Sequence, residues 1–299
     1  MQETRKAYLA ALLANFIFGS SYIAVKYITP VFIHPFALNL LRVIVSISLF
    51  WTLFLFKPGK KTIDREDIPR FLLCALTGVV INQLFFIKGV SLTTTIHSSL
   101  LSLGTPIFIT IIAAWLLKER FTITKAAGLI CGVAGATLLI MMKDHLNNGS
   151  NMLLGDLLVL GNAISYAFYL VLVRPLMAKY SGIQVLRWVF TFGTLGILPF
   201  GFNHLLETNW SLFDVSHLFA LAYVVIAATF IAYTLVVFSV SAIGSSATGA
   251  FVYTQPVFAA LIATAFAGEQ FSLMKMVAAV LIFTGVYLVN FKKSSAKTA

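Results

Sequence analysis

Charge is scarce in this chain of 299 residues: Asp and Glu number ten, Lys and Arg 21, and charged residues make up 10% of the total against 60% hydrophobic. One or two soluble domains cannot shield that much apolar side chain from water, so the solvent is lipid. Cysteine is limited to Cys74 and Cys131. Both fall inside apolar runs, where they read as small packing residues and not as a disulfide or a metal pair. A Walker-type phosphate loop, a metal-ligand cluster and a Ser/His/Asp constellation are all missing, which argues against ATP-driven pumping by this chain alone, against catalysis and against any cofactor. Strict apolar/polar alternation is absent too, and with it the lipid-facing β-barrel.

What the chain does have is long apolar runs. Ten of them, at 8–28, 35–56, 71–88, 94–117, 124–142, 153–173, 183–202, 217–240, 245–266 and 272–291, approach or exceed the length needed to cross about 30 Å of hydrocarbon as a helix. The expected fold is an all-α membrane protein, since helices satisfy every backbone group within lipid. The positive charges cluster on one side if the amino terminus is cytoplasmic, with Arg5, Lys57, Arg70, Lys118, Arg174 and Lys292 among them and only Lys143 and Lys275 plainly outside. That places both termini in the cytoplasm. The net charge of +11 is then a matter of topology and anionic inner-leaflet lipid, and gives no support to nucleic-acid binding. The first run is longer than a signal-peptide core and lacks a small-residue cleavage site, so it is expected to stay in the protein.

The chain also repeats itself. Ser91, Pro106, Phe108, Glu119, Phe121, Lys125, Gly135 and Leu138 answer to Ser241, Pro256, Phe258, Glu269, Phe271, Lys275, Gly285 and Leu288 at an offset of 150. Five spans per half make the second half enter the membrane from the other side, so residues 1–145 and 152–299 form two inverted five-helix repeats. The polar stretch 143–151 reads as the linker between them. Asn148-Gly-Ser150 and Asn209-Trp-Ser211 match the glycosylation pattern, a match common by chance.

Gly19 and Lys26 on the first span, Arg42 on the second, Asn82 on the third and the twin Pro106…Glu119 and Pro256…Glu269 units resemble the drug/metabolite transporter superfamily, specifically its EamA-type ten-helix members. The resemblance covers essentially the whole chain. It implies a plasma-membrane carrier, often an exporter, for amino acids or similar small metabolites, with a central cavity lined by the first, third and fourth spans of each half. Small multidrug-resistance proteins of the same superfamily use a first-span glutamate; the run 8–28 holds no acidic residue, so export of cationic drugs by that route is disfavoured. None of the ten acidic residues lies near the middle of a span, Asp156 being only a few residues into the sixth, which leaves no candidate for a midplane carboxylate relay.

Four ionisable groups fall within spans: Lys26, Arg42, Lys88 and His97. They either line an electropositive vestibule or, for the two lysines, snorkel to the headgroups. Arg42 is placed to bind a carboxylate bidentately, or else to tie two helices together. His97 is placed to bind substrate or sense a proton gradient, or else to pack. Asn15, Gly19, Tyr22 and Lys26 share one face of the first span, as Asn162, Tyr166 and Tyr169 do on the sixth, so the two stripes are candidates to face each other across a cavity. Asn82, Gln83, Phe86, Tyr233, Tyr253 and Gln255 extend the candidate lining; interhelical hydrogen bonding is the competing reading. Pro106 and Pro256 are candidate hinges, and Glu119 and Glu269 candidate helix-end carboxylates. Gly128, Gly132, Gly135, Ala278, Ala279 and Gly285 suit close helix packing in a scaffold or a dimer contact.

The expected function is therefore a secondary transporter of amino acids or related metabolites, working by alternating access on a small-molecule substrate within a lipid bilayer, as a monomer or homodimer. The alternatives are an intramembrane enzyme and a non-transporting scaffold or sensor.

Overall fold

The computed structural model describes residues 2–56, 62–117, 123–141, 151–266, 268 and 272–290. The linker at 143–150, Glu119 and Glu269 lie outside the described residues. Among those described, six helices are long and apolar enough to cross a membrane: Glu3–Ile28, Pro35–Phe56, Arg65–Leu92, Met152–Lys179, Gly182–Leu206 and Val215–Ser239. Four shorter apolar helices, within Thr95–Ile109, Ala126–Gly135, Gln255–Phe266 and Leu273–Gly285, supply spans four, five, nine and ten. The chain is an all-α, multi-pass membrane protein of ten spans.

Local chemistry sets the ends. Thr94, in extended conformation, caps the helix Thr95–Ser102 by accepting from the His97 N–H at 3.1 Å. Ser181 accepts from the Gln184 N–H to start span seven. Asp214 starts span eight with a reciprocal capping box, its carboxylate accepting from the His217 N–H at 2.9 Å while its own N–H donates to His217 Nδ1. Exposed Leu9, Leu13 and Phe16 on span one and Leu195, Leu198 and Phe202 on span seven form the lipid-facing surface.

The packing order follows the duplication. Span one lies along spans eight and nine, span six along spans three and four, span two against span seven, and span five against span ten. Exchanging each span with its partner five places on maps this set of contacts onto itself. The two first spans run in opposite senses: Lys26 near the end of span one and Asp156 near the start of span six both bond to Thr93. Spans five and ten close on glycine. A Cβ on Gly285 would sit 2.6 Å from the Gly128 carbonyl oxygen and the Gly132 nitrogen, and one on Gly135 would sit 2.8 Å from the Ala278 oxygen, so the backbones meet where the small residues are.

Two departures from straight α-helix occur in both halves. Span three carries a π-helical segment at Leu76–Val80 and span eight one at Tyr223–Ile231. Residues 76–80 plus the repeat offset are 226–230, inside the second segment. Span four breaks at Leu103 and Gly104, and span nine is preceded by a 3-10 segment at Phe251–Thr254. Pro106 and Pro256 each stand second in the helix that follows. A first-turn proline sacrifices no hydrogen bond, so the irregular backbone lies just before each proline. The eighth and ninth runs differ from the sequence expectation of a break near 241–244: the helix continues from Ala232 to Ala250.

Candidate functional site

Arg42 is a buried charge at the contact between the halves, with 4% of its surface exposed. Its Nε donates to the Thr229 hydroxyl of span eight at 2.8 Å and its Nη1 to Asn39 Oδ1 at 3.4 Å. Thr229 occupies the π-helical segment and passes its own proton to the Val224 carbonyl at 2.9 Å, five residues back. The extra residue in that turn sets the threonine where the guanidinium reaches it; π-helical insertions of this kind recur at functional sites. Of the five guanidinium N–H groups, three remain for another acceptor, and among the described residues no carboxylate pairs with Arg42.

Gln83 stands beside it. Asn39 Nδ2 donates to the Gln83 backbone carbonyl at 2.8 Å, yet the Gln83 carboxamide, 1% exposed, has neither its nitrogen nor its oxygen in a hydrogen bond. A buried amide without partners is costly. The Tyr233 hydroxyl lies near Gln83 and Arg42 without reaching hydrogen-bond geometry to the carboxamide. Its ring packs edge-on to Phe18 and Phe190, at 5.8 and 5.4 Å. Tyr166 faces Tyr233 and stacks on Tyr169 at 5.9 Å. Tyr169 fills the space over Gly78, where a Cβ would come within 2.4 Å of the ring, so the π-helical segment of span three is also held to this cluster.

The remaining expected residues fall into other contacts. Asn15 donates to its own helix at the Ala11 carbonyl and accepts from Gln255 Nε2 at 2.6 Å; Gly19 packs on the Gln255 and Ala259 backbone and the Phe258 Cβ of span nine. Asn162 Nδ2 donates to the Asn82 carbonyl at 2.8 Å, and Asn82 Nδ2 returns to the Asn162 carbonyl at 3.4 Å. Asn15 and Gly19 are thus turned toward span nine and Asn162 toward span three, and not toward each other. Tyr22 bonds to Ser102 at 3.1 Å and meets the Phe86 ring edge-on at 5.2 Å. Pro256 is buried; the side chains of Tyr253 and Pro106 lie outside the described residues.

His97 and Asp156 form a separate buried cluster, both fully enclosed, with Nδ1 to Oδ2 at 3.2 Å. Thr93 donates to the other carboxylate oxygen at 2.5 Å, and Lys26 Nζ donates to the Thr93 carbonyl at 3.0 Å. Asp156, Thr93, Asn39 and Thr229 are absent from the residues singled out by sequence. Asp156 looks like an interfacial residue near a helix start, and nothing in a linear reading shows that a histidine 59 positions away covers it. Asn39, one turn before Arg42 on the same helix face, carried the only linear signal.

The sequence profile of the EamA-like transporter family matches residues 5–141 and again 153–291. The uncharacterized transporter YetK of Bacillus subtilis is 24% identical over 96% of this chain and 87% of its own length, and an uncharacterized transporter of Archaeoglobus fulgidus 25% identical over 96% and 98%. The protein WALLS ARE THIN 1 of Arabidopsis thaliana is 23% identical over 99% of this chain and 85% of its own. A crystal structure superposes with a TM-score of 0.64 over 95% of this chain and 96% of that one at 19% identity, a likeness of fold.

Proposed function

The chain belongs to the EamA-like transporter family, and from that membership we propose that it is a secondary carrier exporting amino acids or related small carboxylates across the plasma membrane by alternating access. The family makes it a transporter of small molecules rather than an enzyme, with lipid and solute as its partners. The observation that carries the substrate class is the Arg42 guanidinium: buried, bonded only to neutral oxygens, and next to an amide with no partner. Removing a charge from water without a counter-ion is costly, and a carboxylate arriving with the substrate offsets that cost through a two-point contact.

In this reading Arg42 grips the carboxylate, Gln83 and Tyr233 bond its oxygens or the neighbouring amine, and Tyr22, Phe86, Tyr166 and Tyr169 receive the apolar remainder. Asn15, Lys26, Asn82, Asn162, Tyr253 and Gln255 shape the surrounding helix contacts. Pro106 and Pro256, each following an irregular turn, are the proposed hinges, with equivalent bends in the two halves exchanging the side on which the site opens. Outward direction and a cytoplasmic position for both termini are supported by the family resemblance and by the basic loops. The unit is taken as a monomer or homodimer.

The test is counterflow in proteoliposomes with a panel of labelled amino acids, their decarboxylated amines and neutral metabolites. The reading expects saturable exchange of one or more carboxylates and none of the matching amines. Exchange confined to amines or uncharged solutes rejects the carboxylate assignment; no exchange of any solute by folded, inserted protein favours a scaffold or sensor.

A further inference from the structure

We propose that His97 and Asp156, clasped by Thr93, form a proton-binding site at the end of the bundle opposite the amino terminus, and that its occupancy is coupled to the opening of that end. The coupling rests on the carrier reading above; proton binding at the pair does not.

A carboxylate enclosed by protein within a lipid-spanning bundle is costly unless its charge is balanced. Asp156 has one oxygen on the Thr93 hydroxyl at 2.5 Å and the other on His97 Nδ1 at 3.2 Å. With Asp156 ionised and His97 neutral the pair carries one negative charge. One proton from water forms an N–H bond on the imidazole, leaving imidazolium against carboxylate and a net charge of zero. An imidazole is the side chain whose proton exchanges in the physiological range.

Among the described residues, the other ionisable groups around the pair are few. Span one brings Lys26, bonded to the Thr93 carbonyl, and Tyr22, bonded to Ser102 of the His97 helix. Span ten packs under Ile96 and Leu100 and carries the buried Lys275. Span five carries Cys131 as the one ionisable group among its described side chains; span six contributes Asp156, and the described part of span nine has no titratable residue. Lys88 of span three faces His34 instead. One carboxylate and one imidazole are therefore the acid–base pair, with a cation held one residue away.

The pair is not demanded by the fold. The positions one repeat later hold Ile243 for Thr93 and Ala247 for His97, and the position one repeat before Asp156 holds Lys6. The second half closes without these groups, its helix running unbroken through the equivalent positions, so a half of this bundle packs without an acid–base pair there. Spans one, four and six all meet at Thr93, and these are helices whose separation would admit water to the pair. Tyr22 joins the His97 helix to Phe86 beside the proposed substrate aromatics. A proton bound while the pair is sealed and released when it is wetted would link substrate export to inward proton movement.

The decisive experiment is a pH titration of the full-length chain, labelled with 15N-histidine, by NMR in nanodiscs without substrate, the His97 signal being identified by its loss in His97→Gln. The proposal expects a resolvable imidazole titration between pH 4 and 9, and about tenfold or more weaker proton binding in Asp156→Asn. A His97 that takes up no proton in that range, or titrates identically in both proteins, overturns the site. Should Asp156→Asn not fold, Asp156→Glu replaces it, with an unchanged midpoint counting against the pair. The coupling is read separately: an imposed proton gradient should change solute efflux by the wild type, and His97→Gln should lose that response while keeping counterflow. Wild-type flux indifferent to the gradient rejects coupling. Absence of any carried solute rejects the carrier reading and the coupling with it, while the titration still decides the proton site.

Discussion

The Nε of Arg42 in span two donates to the Thr229 hydroxyl in span eight, 2.8 Å away, across the contact between the two repeats. Both side chains are buried, and the bond uses one donor while leaving the outer edge of the fork available. Arg42→Gln should therefore lower kcat/KM for carboxylate substrates by about a hundredfold, the scale set by losing a charge-assisted contact of roughly 3 kcal/mol. Arg42→Lys should recover little, because an ammonium cannot reproduce the planar fork. Thr229→Val should cost less than Arg42→Gln. Uptake assays alongside a folding check by size-exclusion chromatography decide it, and unchanged kinetics in well-folded Arg42→Gln would sink the assignment.

The architecture was legible because lipid leaves the backbone only helices, and because the duplication, including the proline positions, lies in the linear sequence. Arg42 and Tyr233 were legible for a related reason: a charge or hydroxyl in an apolar run must be satisfied by something. What they are bonded to was hidden. Thr229 reaches Arg42 through a π-helical turn, and a single extra residue in a turn leaves no mark in a run of Val, Ile and Ala. Asp156 was hidden differently, since its burial comes from Thr93 and His97, residues that precede it by two spans. The facing of the Asn15 and Asn162 stripes also escaped, because helical spacing defines a common face but not the neighbour it meets.

The glycine seam between spans five and ten predicts an asymmetric tolerance to methyl groups. At Gly285 the added carbon would meet backbone atoms, Gly128 oxygen and Gly132 nitrogen, at 2.6 Å. Backbone cannot swing aside as a side chain can, so Gly285→Ala should destabilise by about 1–3 kcal/mol through overpacking. At Gly132 the nearest atom is the end of the flexible Ile107 side chain, 2.2 Å away, so Gly132→Ala should cost less. Thermal unfolding in detergent gives the order; equal losses at both sites would count against a backbone-limited seam.

His34 and His204 stack at the loop end of spans two and seven with ring centres 3.6 Å apart. Burial, then the neighbouring His204 and Lys88, pushes the His34 imidazole below its ordinary 6.5, with Glu207 opposing. Nδ1 of His34 also accepts from the Phe36 N–H at 3.3 Å, a bond that the neutral ring alone can accept at that nitrogen. The unfolded chain thus binds the proton more tightly than the folded one. Stability from this group is complete above about pH 6.5 and falls as the pH drops through the window below it. The melting temperature should fall between pH 7.5 and 5, and His34→Phe should fall less; an equal decline in both proteins removes His34 as the cause.

Asn82 and Asn162 give the contrasting case to Arg42. Each carboxamide donates to the other's backbone carbonyl, at 3.4 and 2.8 Å, so one donor of each holds span three to span six. Interhelical bonds of this kind contribute about 0.6–1.7 kcal/mol in a membrane protein. Asn162→Ala should lower the unfolding temperature and, for the molecules that remain folded, leave KM within about twofold of wild type, whereas loss of a substrate contact raises KM or lowers kcat directly. The double variant Asn82→Ala/Asn162→Ala should be destabilised by about the sum of the two single changes, since each bond joins one carboxamide to a backbone carbonyl that the other substitution leaves in place. A large KM effect with an unchanged melting temperature would transfer Asn162 from the helix contact to the substrate.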